Sequence, residues 1–319
     1  MKLFWHKLRN WEYWSMYVVY APTIILWVFY AIRFRTWRFF QFANPAIKNG
    51  GLYDDSKFEI YRLLPKNRYP KTCIVRNIEP TNIAEVIKNE SLEFPLIVKP
   101  DVGCRGVMVR KVNTVEEVLQ YKSAVIADFL IQEICKYPNE IGLFYYRYPN
   151  EKRGHISGIT GKVFLSVLGD GKRSLEELLA EKPRYRLQIP TLKRQMDLSE
   201  ILTKDEYRCL VPFGNHNRGT EFLDYSQKIN AKLEHVFNDL LGDIDGFYYG
   251  RLDIRYNTWQ ELENGINFSV IEVNGAKSEP THIYDPQHSF WYGQKEIYRH
   301  QRIFYKIIRE FIKLRKSPK

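Results

Sequence analysis

Polar and apolar residues alternate one by one in two neighbouring runs, FYYGRLDIRY (247–256) and FSVIEVNG (268–275). A period of two marks half-exposed β-strands. In the first run Arg251, Asp253 and Arg255 fall on one side and Leu252 and Ile254 on the other. Strict alternation in the second puts Phe268, Val270, Glu272 and Asn274 together and turns Ile271 and Val273 away. Paired as a hairpin, the runs bring Asp253, Glu272 and Asn274 beside Arg251. Two readings fit this face: an ordinary solvated strand face, or a set of hard oxygen ligands for a Mg²⁺ that also takes phosphate oxygens.

Further strands are predicted over KTCIVRN, FPLIVKP, ADFLIQEIC, IGLFYYRYP and residues 156–168. Helices are predicted over Ser56–Leu64, TNIAEVIKNESL with Thr81 or Asn82 as cap, NTVEEVLQYKSA with Asn113 or Thr114 as cap, the run opened by Ser174, SQKINAKLEHVFNDLLG and the basic amphipathic HQRIFYKIIREFIKLRK. Asp197–Cys209 reads as helical or irregular, and VPFGNHNRGTEFLD as a glycine-containing loop. Helices and hairpins interleave, which predicts an α+β (mixed α/β) fold.

The N-terminus breaks this pattern. Tyr13 to Ile32 contains no charged residue, and Arg33, Arg35 and Arg38 follow, interleaved with Phe34, Trp37, Phe39 and Phe40. The run is roughly as long as a bilayer-crossing helix, about 20 residues. Its flanking tryptophans and arginines suit the headgroup region. Residues 11–42 are therefore expected to meet membrane lipid, either spanning it or lying in its surface, with Pro22 permitting a kink. A signal peptide is a weaker alternative, because the run is long, contains Pro and large aromatics and lacks a small-residue cleavage site, and a buried helix of a soluble fold is another. Charges flank both ends, so they do not orient the segment.

A chain of 319 residues with net charge +11 suits two or three packed lobes and acidic partners such as nucleotides or anionic lipid. Its Lys and Arg are dispersed and no nucleic-acid motif is present, so no nucleic acid is expected. The four cysteines have no metal-ligand spacing. Lys99 closes an apolar strand just before DVGCRG, where Gly103 and Gly106 let a turn close over phosphates through backbone N–H groups. Taken alone, that motif fits a plain glycine hairpin equally well.

The order of these pieces resembles the ATP-grasp superfamily, in particular D-alanine–D-alanine ligases and the ligase portion of cyanophycin synthetase, over roughly residues 56–286. The resemblance implies two α+β lobes gripping ATP. Together with the apolar N-terminal run, it divides the chain into residues 1–43 as a membrane-associated segment, 44–93 as a shortened pre-ATP-grasp segment and 94–319 as the ATP-grasp domain. It places Lys57 and Lys99 on the nucleotide, Gly103 and Gly106 in the phosphate-covering loop, and Gln132, Glu133 and Ile134 at the adenine hinge. Glu140 falls on the ribose hydroxyls, and Asp253, Glu272 and Asn274 on Mg²⁺, for which Mn²⁺ is an alternative. Arg251 falls on the transferred phosphoryl group. In NHNRGTEFLD, Asn215, Gly219 and Asp224 match the substrate loop of the cyanophycin synthetase group, whereas His216 and Arg218 depart from it; Arg218 is a candidate for binding a carboxylate.

The implied activity is ATP- and Mg-dependent joining of a carboxylate to an amine through an acyl phosphate. The substrates would be small molecules, peptides or envelope precursors, with the catalytic part at the cytoplasmic side of a membrane. An ATP-grasp phosphotransferase and a non-catalytic, membrane-tethered ATP-binding module are the alternatives.

Overall fold

The computed structural model describes residues 2–77, 82–103, 107–212, 214 and 216–316. Three sheets organise the chain, and all their strand pairs are antiparallel. The first sheet has the order β1-β4-β2-β3, from β1 (Thr72–Val75), β2 (Leu96–Pro100), β3 (Arg110–Val112) and β4 (Phe129–Glu133). The second has the order β11-β10-β5-β6-β9, from β5 (Asn139–Tyr146), β6 (His155–Val163), β9 (Glu221–Asp224), β10 (Tyr249–Tyr256) and β11 (Phe268–Asn274). A two-stranded sheet joins β7 (Leu165–Leu168) to β8 (Tyr207–Val211). The mixed α/β architecture expected from the sequence is therefore present. One expected helical or irregular stretch, Asp197–Cys209, ends instead as β8.

Each lobe buries one face of its sheet under helices. In the first, α5 (Ile83–Asn89) and α6 (Val115–Ala124) cover Cys73, Val75, Leu96, Val98 and Ile131. Their caps are the predicted ones: the Asn82 side chain accepts from Glu85 N–H, and that of Thr114 from Glu117 N–H. In the second lobe, α4 (Lys57–Tyr61) and α10 (Ala231–Leu241) pack on Leu143, Ile159, Leu252, Ile254 and Val270, while α11 (Trp259–Glu263) closes one edge. The small sheet carries α7 (Leu175–Glu181), α8 (Pro183–Arg186) and α9 (Ile189–Leu192) around their own core. Ser174 opens α7 with a full capping box.

The N-terminal run does not form the spanning helix that was one of its two expected arrangements. It splits into α2 (Met16–Val19) and α3 (Ala21–Phe34), after α1 (Lys2–Arg9), and Pro22 sits in the first turn of α3, where its missing N–H costs nothing. Fourteen residues of α3 make about 21 Å of helix, against about 30 Å of bilayer hydrocarbon. Among the described residues no helix is long and apolar enough to cross a membrane. Instead, Trp27, Tyr30 and Phe34 pack beside α12 (Phe290–Lys316), with Trp27 stacked on Phe304 at 6.0 Å.

Asn44 locks this N-terminal layer to the central sheet. Its fully buried amide donates to Gly50 O (3.1 Å) and Tyr249 O (2.7 Å) and accepts from the N–H groups of Tyr248 (3.0 Å) and Tyr249 (2.9 Å). Two donors and two acceptor positions are thus all used. Asn44→Ala leaves four backbone groups without these bonds. Urea denaturation is expected to show a loss of roughly 3 kcal/mol or more, at about 1 kcal/mol or above for each buried group left unsatisfied.

Candidate active site

The hairpin of β10 and β11 builds the site, but not by strict alternation. Arg251 faces Asn274 and Asp253 faces Glu272, whereas Ile254 faces Val270. Ile271 is the extra residue of a β-bulge. Phe268 and Val270 therefore join Ile254 and Tyr256 in the hydrophobic core, and Glu272 and Asn274 share the face of Asp253 and Arg251. This corrects the expectation that Phe268 and Val270 lie on the polar side. Four adjacent pleated positions cannot place both apolar and acidic residues correctly without one inserted residue.

That face continues across the sheet. Gly142 of β5 lies opposite Asp253, and Thr160 of β6 opposite Gly142. Glu140 lies between Arg255 and Lys162. A Cβ on Gly142 would meet Arg251 Cδ at 3.2 Å and Asp253 Oδ1 at 3.3 Å, so the glycine gives the arginine room to lie flat. Arg251 then holds Asp253 with both Nε (2.9 Å) and Nη2 (3.2 Å).

Sequence reasoning missed Lys162, which sits at the centre of this network. Its side chain is 3% exposed, and Nζ lies 2.7 Å from Glu140 Oε1 and 3.1 Å from Asp253 Oδ2. Burial pushes its ammonium down, but the Asp253 and Glu140 carboxylates more than offset that and hold it above its ordinary value. Burial likewise opposes the Asp253 carboxylate, and Arg251 and Lys162 more than offset it, so its carboxyl lies below the ordinary value. A lysine at the end of an alternating strand resembles any edge lysine; only the cross-strand register reveals its partners. Arg255 Nε reaches Glu140 Oε2 at 2.9 Å.

Glu140 was expected on ribose hydroxyls. It is buried with each oxygen on a cation, and Gly214 covers it so closely that a Cβ there would fall 2.1 Å from Oε1.

The first lobe turns Lys99 towards this face. Its Nζ donates to Gln132 Oε1 (2.8 Å) and to Tyr61 Oη (3.1 Å), and the Tyr61 hydroxyl in turn donates to Ile271 O beside Glu272. Gln132 is buried and also donates to Thr72 Oγ1 at 2.7 Å. Its side chain thus orients Lys99, while Gln132, Glu133 and Ile134 form the strand end that leads from the first sheet to β5.

Lys57 donates to the carbonyl oxygens of Pro100 (3.3 Å), Asp101 (2.9 Å) and Gly103 (2.9 Å), and so fixes the start of the glycine turn. Burial pushes its ammonium down; Glu272 pulls it up and Lys99 presses it further down, so all three lie within electrostatic reach. Gly103, at φ 156°, is described, and Gly106 lies outside the described residues.

Of the implied metal ligands, Asp253 already has both oxygens on Arg251 and Lys162. Asp253 and Glu272 are cross-strand partners, and the buried Nδ2 of Asn274 has no hydrogen-bond partner. Rotating that amide aims its oxygen at the same orphaned position. Among the described residues no group of three or more His, Cys, Asp and Glu is placed to hold a metal ion.

The candidate substrate loop begins against this cluster, with Gly214 beside Glu140 and Lys162. Arg218 is exposed in the turn His216–Arg218, and Asn215 lies outside the described residues. His216 is held by Glu12 of the N-terminal segment at 3.0 Å, and Glu12 also binds Arg184 at 2.5 Å. His282 and His288 support α12 and β9: His282 packs on Gly158 and reaches Glu296 (3.4 Å), and His288 reaches Asp224 (2.9 Å).

Removing Lys162 tests the network. Lys162→Met is expected to destabilise the protein by roughly 3–5 kcal/mol, because two buried carboxylates lose their shared cation. The difference from wild type should hold constant between about pH 5 and pH 9. It should shrink in acid, because the stability from Asp253 is present above its unfolded value and lost as pH falls through the depressed folded one. It should shrink in strong alkali, because the stability from Lys162 is present below its unfolded value and lost as pH rises through the raised folded one. Denaturation curves across pH check both limbs.

No family model and no curated protein matches the sequence. Several solved structures resemble the chain at low identity. D-alanine–D-alanine ligase from Bacillus anthracis is 16% identical, over 82% of this chain and 68% of its own, with a TM-score of 0.44. VanG D-Ala:D-Ser ligase from Enterococcus faecalis is 12% identical, over 81% of this chain and 61% of its own, with a TM-score of 0.42. A bifunctional glutathione synthetase from Pasteurella multocida is 16% identical over 76% of this chain, with a TM-score of 0.42, and this chain spans 35% of its length.

Proposed function

We propose that the chain is an ATP-dependent ligase of the ATP-grasp type, which phosphorylates a carboxylate and passes the acyl group to an amine. The observation that carries the reading is the linkage of Lys99 in the first lobe, through Tyr61, to the second-lobe hairpin that carries Arg251, Asp253, Glu272 and Asn274, with Lys57 of α4 holding the glycine turn. Cations and hard oxygen ligands placed between two lobes are what a triphosphate requires.

Lys99 and Lys57 lie where they can neutralise phosphate charge, and their hydrogen bonds to Gln132 and to the turn carbonyls hold them in place before ligand arrives. Arg251 is oriented by Asp253 so that its guanidinium faces the transferred phosphoryl group. Asp253, Glu272 and Asn274 would hold Mg²⁺ or Mn²⁺, which when bound neutralises phosphate oxygens. A substrate carboxylate oxygen attacks the γ-phosphorus and the bond to the ADP oxygen breaks. The amine nitrogen then attacks the acyl carbon, and inorganic phosphate leaves with loss of a proton from nitrogen. Arg218, exposed on its loop, is the candidate contact for a carboxylate substrate.

Glu272→Gln leaves the Lys162 network intact and is expected to lower Mg-dependent ATP turnover at least ~100-fold, the upper range seen for even outer-shell partners of a metal. Wild-type turnover in this variant rules out the metal assignment. Lys99→Ala should weaken ATP binding by roughly 10- to 100-fold in calorimetry, the loss of a charge-assisted hydrogen bond. Incubation with ATP and pools of amino acids, peptides and envelope precursors should give ADP and a coupled amide. A stable phosphorylated product without an amide would assign phosphotransfer instead.

A further inference from the structure

Helix α3 has two unlike faces. Its inner face packs on α12: Trp27 Nε1 donates to Gln301 Oε1 (2.9 Å), the Tyr30 hydroxyl donates to Gln301 O (3.1 Å), and the Tyr30 and Phe34 rings lie 5.1 and 5.2 Å from Tyr305. Its outer face carries Ile24, Ile25, Val28, Phe29 and Ile32, all exposed, with Ile25 at 74% and Ile32 at 70%. At 3.6 residues per turn these five positions cover an arc of about 140°. Core packing explains the inner stripe and leaves the outer one unaccounted for.

Aromatic and basic groups frame the outer stripe. Tyr17 stands before it, and Trp37, 71% exposed, beyond its end. Arg33, Arg35 and Arg38 are exposed between Ile32 and Phe39. On α12, Gln294 donates to Val19 O (2.9 Å), so α12 runs alongside both α2 and α3. Lys295, Tyr298, Arg302 and Arg309 are exposed on the flank next to that contact line. No acidic residue occurs from Tyr13 to Tyr53.

We propose that α2, α3 and the exposed flank of α12 form an in-plane docking surface for an anionic lipid bilayer. The apolar stripe enters the acyl boundary, Tyr17 and Trp37 sit at headgroup level, and the arginines contact lipid phosphate. A helix too short to span, with a wide apolar arc and basic neighbours, has the form of an interfacial element. Charge selects this occupant over a second copy of the chain. Two such faces would set six arginines against one another with no carboxylate between them, whereas an anionic surface attracts each one.

The test uses the full chain and sedimentation with two kinds of vesicle, pure phosphatidylcholine and equal parts phosphatidylcholine and phosphatidylglycerol. The chain should sediment with the anionic vesicles, and less so as salt is raised. The double variant Ile25→Asp/Ile32→Asp, altered only at exposed positions, should bind about tenfold more weakly or worse with an unchanged melting curve. Arg33→Gln, Arg35→Gln and Arg38→Gln should each weaken binding to anionic vesicles by about fivefold and leave binding to phosphatidylcholine unchanged. Wild-type protein that stays in the supernatant with both vesicles overturns the proposal. So does a double aspartate variant that sediments like wild type, or a stripe-dependent dimer in light scattering without vesicle binding.

Discussion

The bulge at Ile271 is the constraint on which the rest of the site depends. It lets one short strand give Phe268 and Val270 to the core and Glu272 and Asn274 to the opposite face. It also leaves the Ile271 carbonyl free of the regular ladder, where the Tyr61 hydroxyl binds it and in turn accepts from Lys99. One inserted residue thus sets the acidic face and ties it to the lysine of the other lobe.

Behind that face lies a tightly connected set of charges. Lys162, Arg251 and Arg255 neutralise Asp253 and Glu140 in a setting almost closed to solvent. Such a set is costly to desolvate and is worth little to stability compared with apolar packing. Its value is geometric: it holds Arg251 and Asp253 in one arrangement. Glu140 belongs to this support and lies buried under Gly214.

The N-terminal segment serves two sides at once. Glu12 anchors the 216–218 turn through His216 and the small lobe through Arg184, while Trp27 and Tyr30 pack on α12. The same short stretch therefore joins the apolar outer stripe of α3 to the loop that carries Arg218. An apolar sequence run of this length has two ways to hide its surface, and here half of it is hidden against α12 rather than inside a spanning helix.

Much of the fold was legible in the sequence because its signals are local. The caps at Asn82, Thr114 and Ser174, the strand that carries Lys99 and the alternation of Arg251 and Asp253 depend on neighbours a few residues away. The sequence by itself determined the mixed α/β class, the β10–β11 pairing and the meeting of Asp253 with Glu272. Tertiary structure alone decided the bulge, the roles of Lys162 and Glu140, the linkage through Tyr61 and the docking of α3 on α12. Each of these rests on cross-strand register or on contacts between residues far apart in the chain, and no local periodicity encodes such partners.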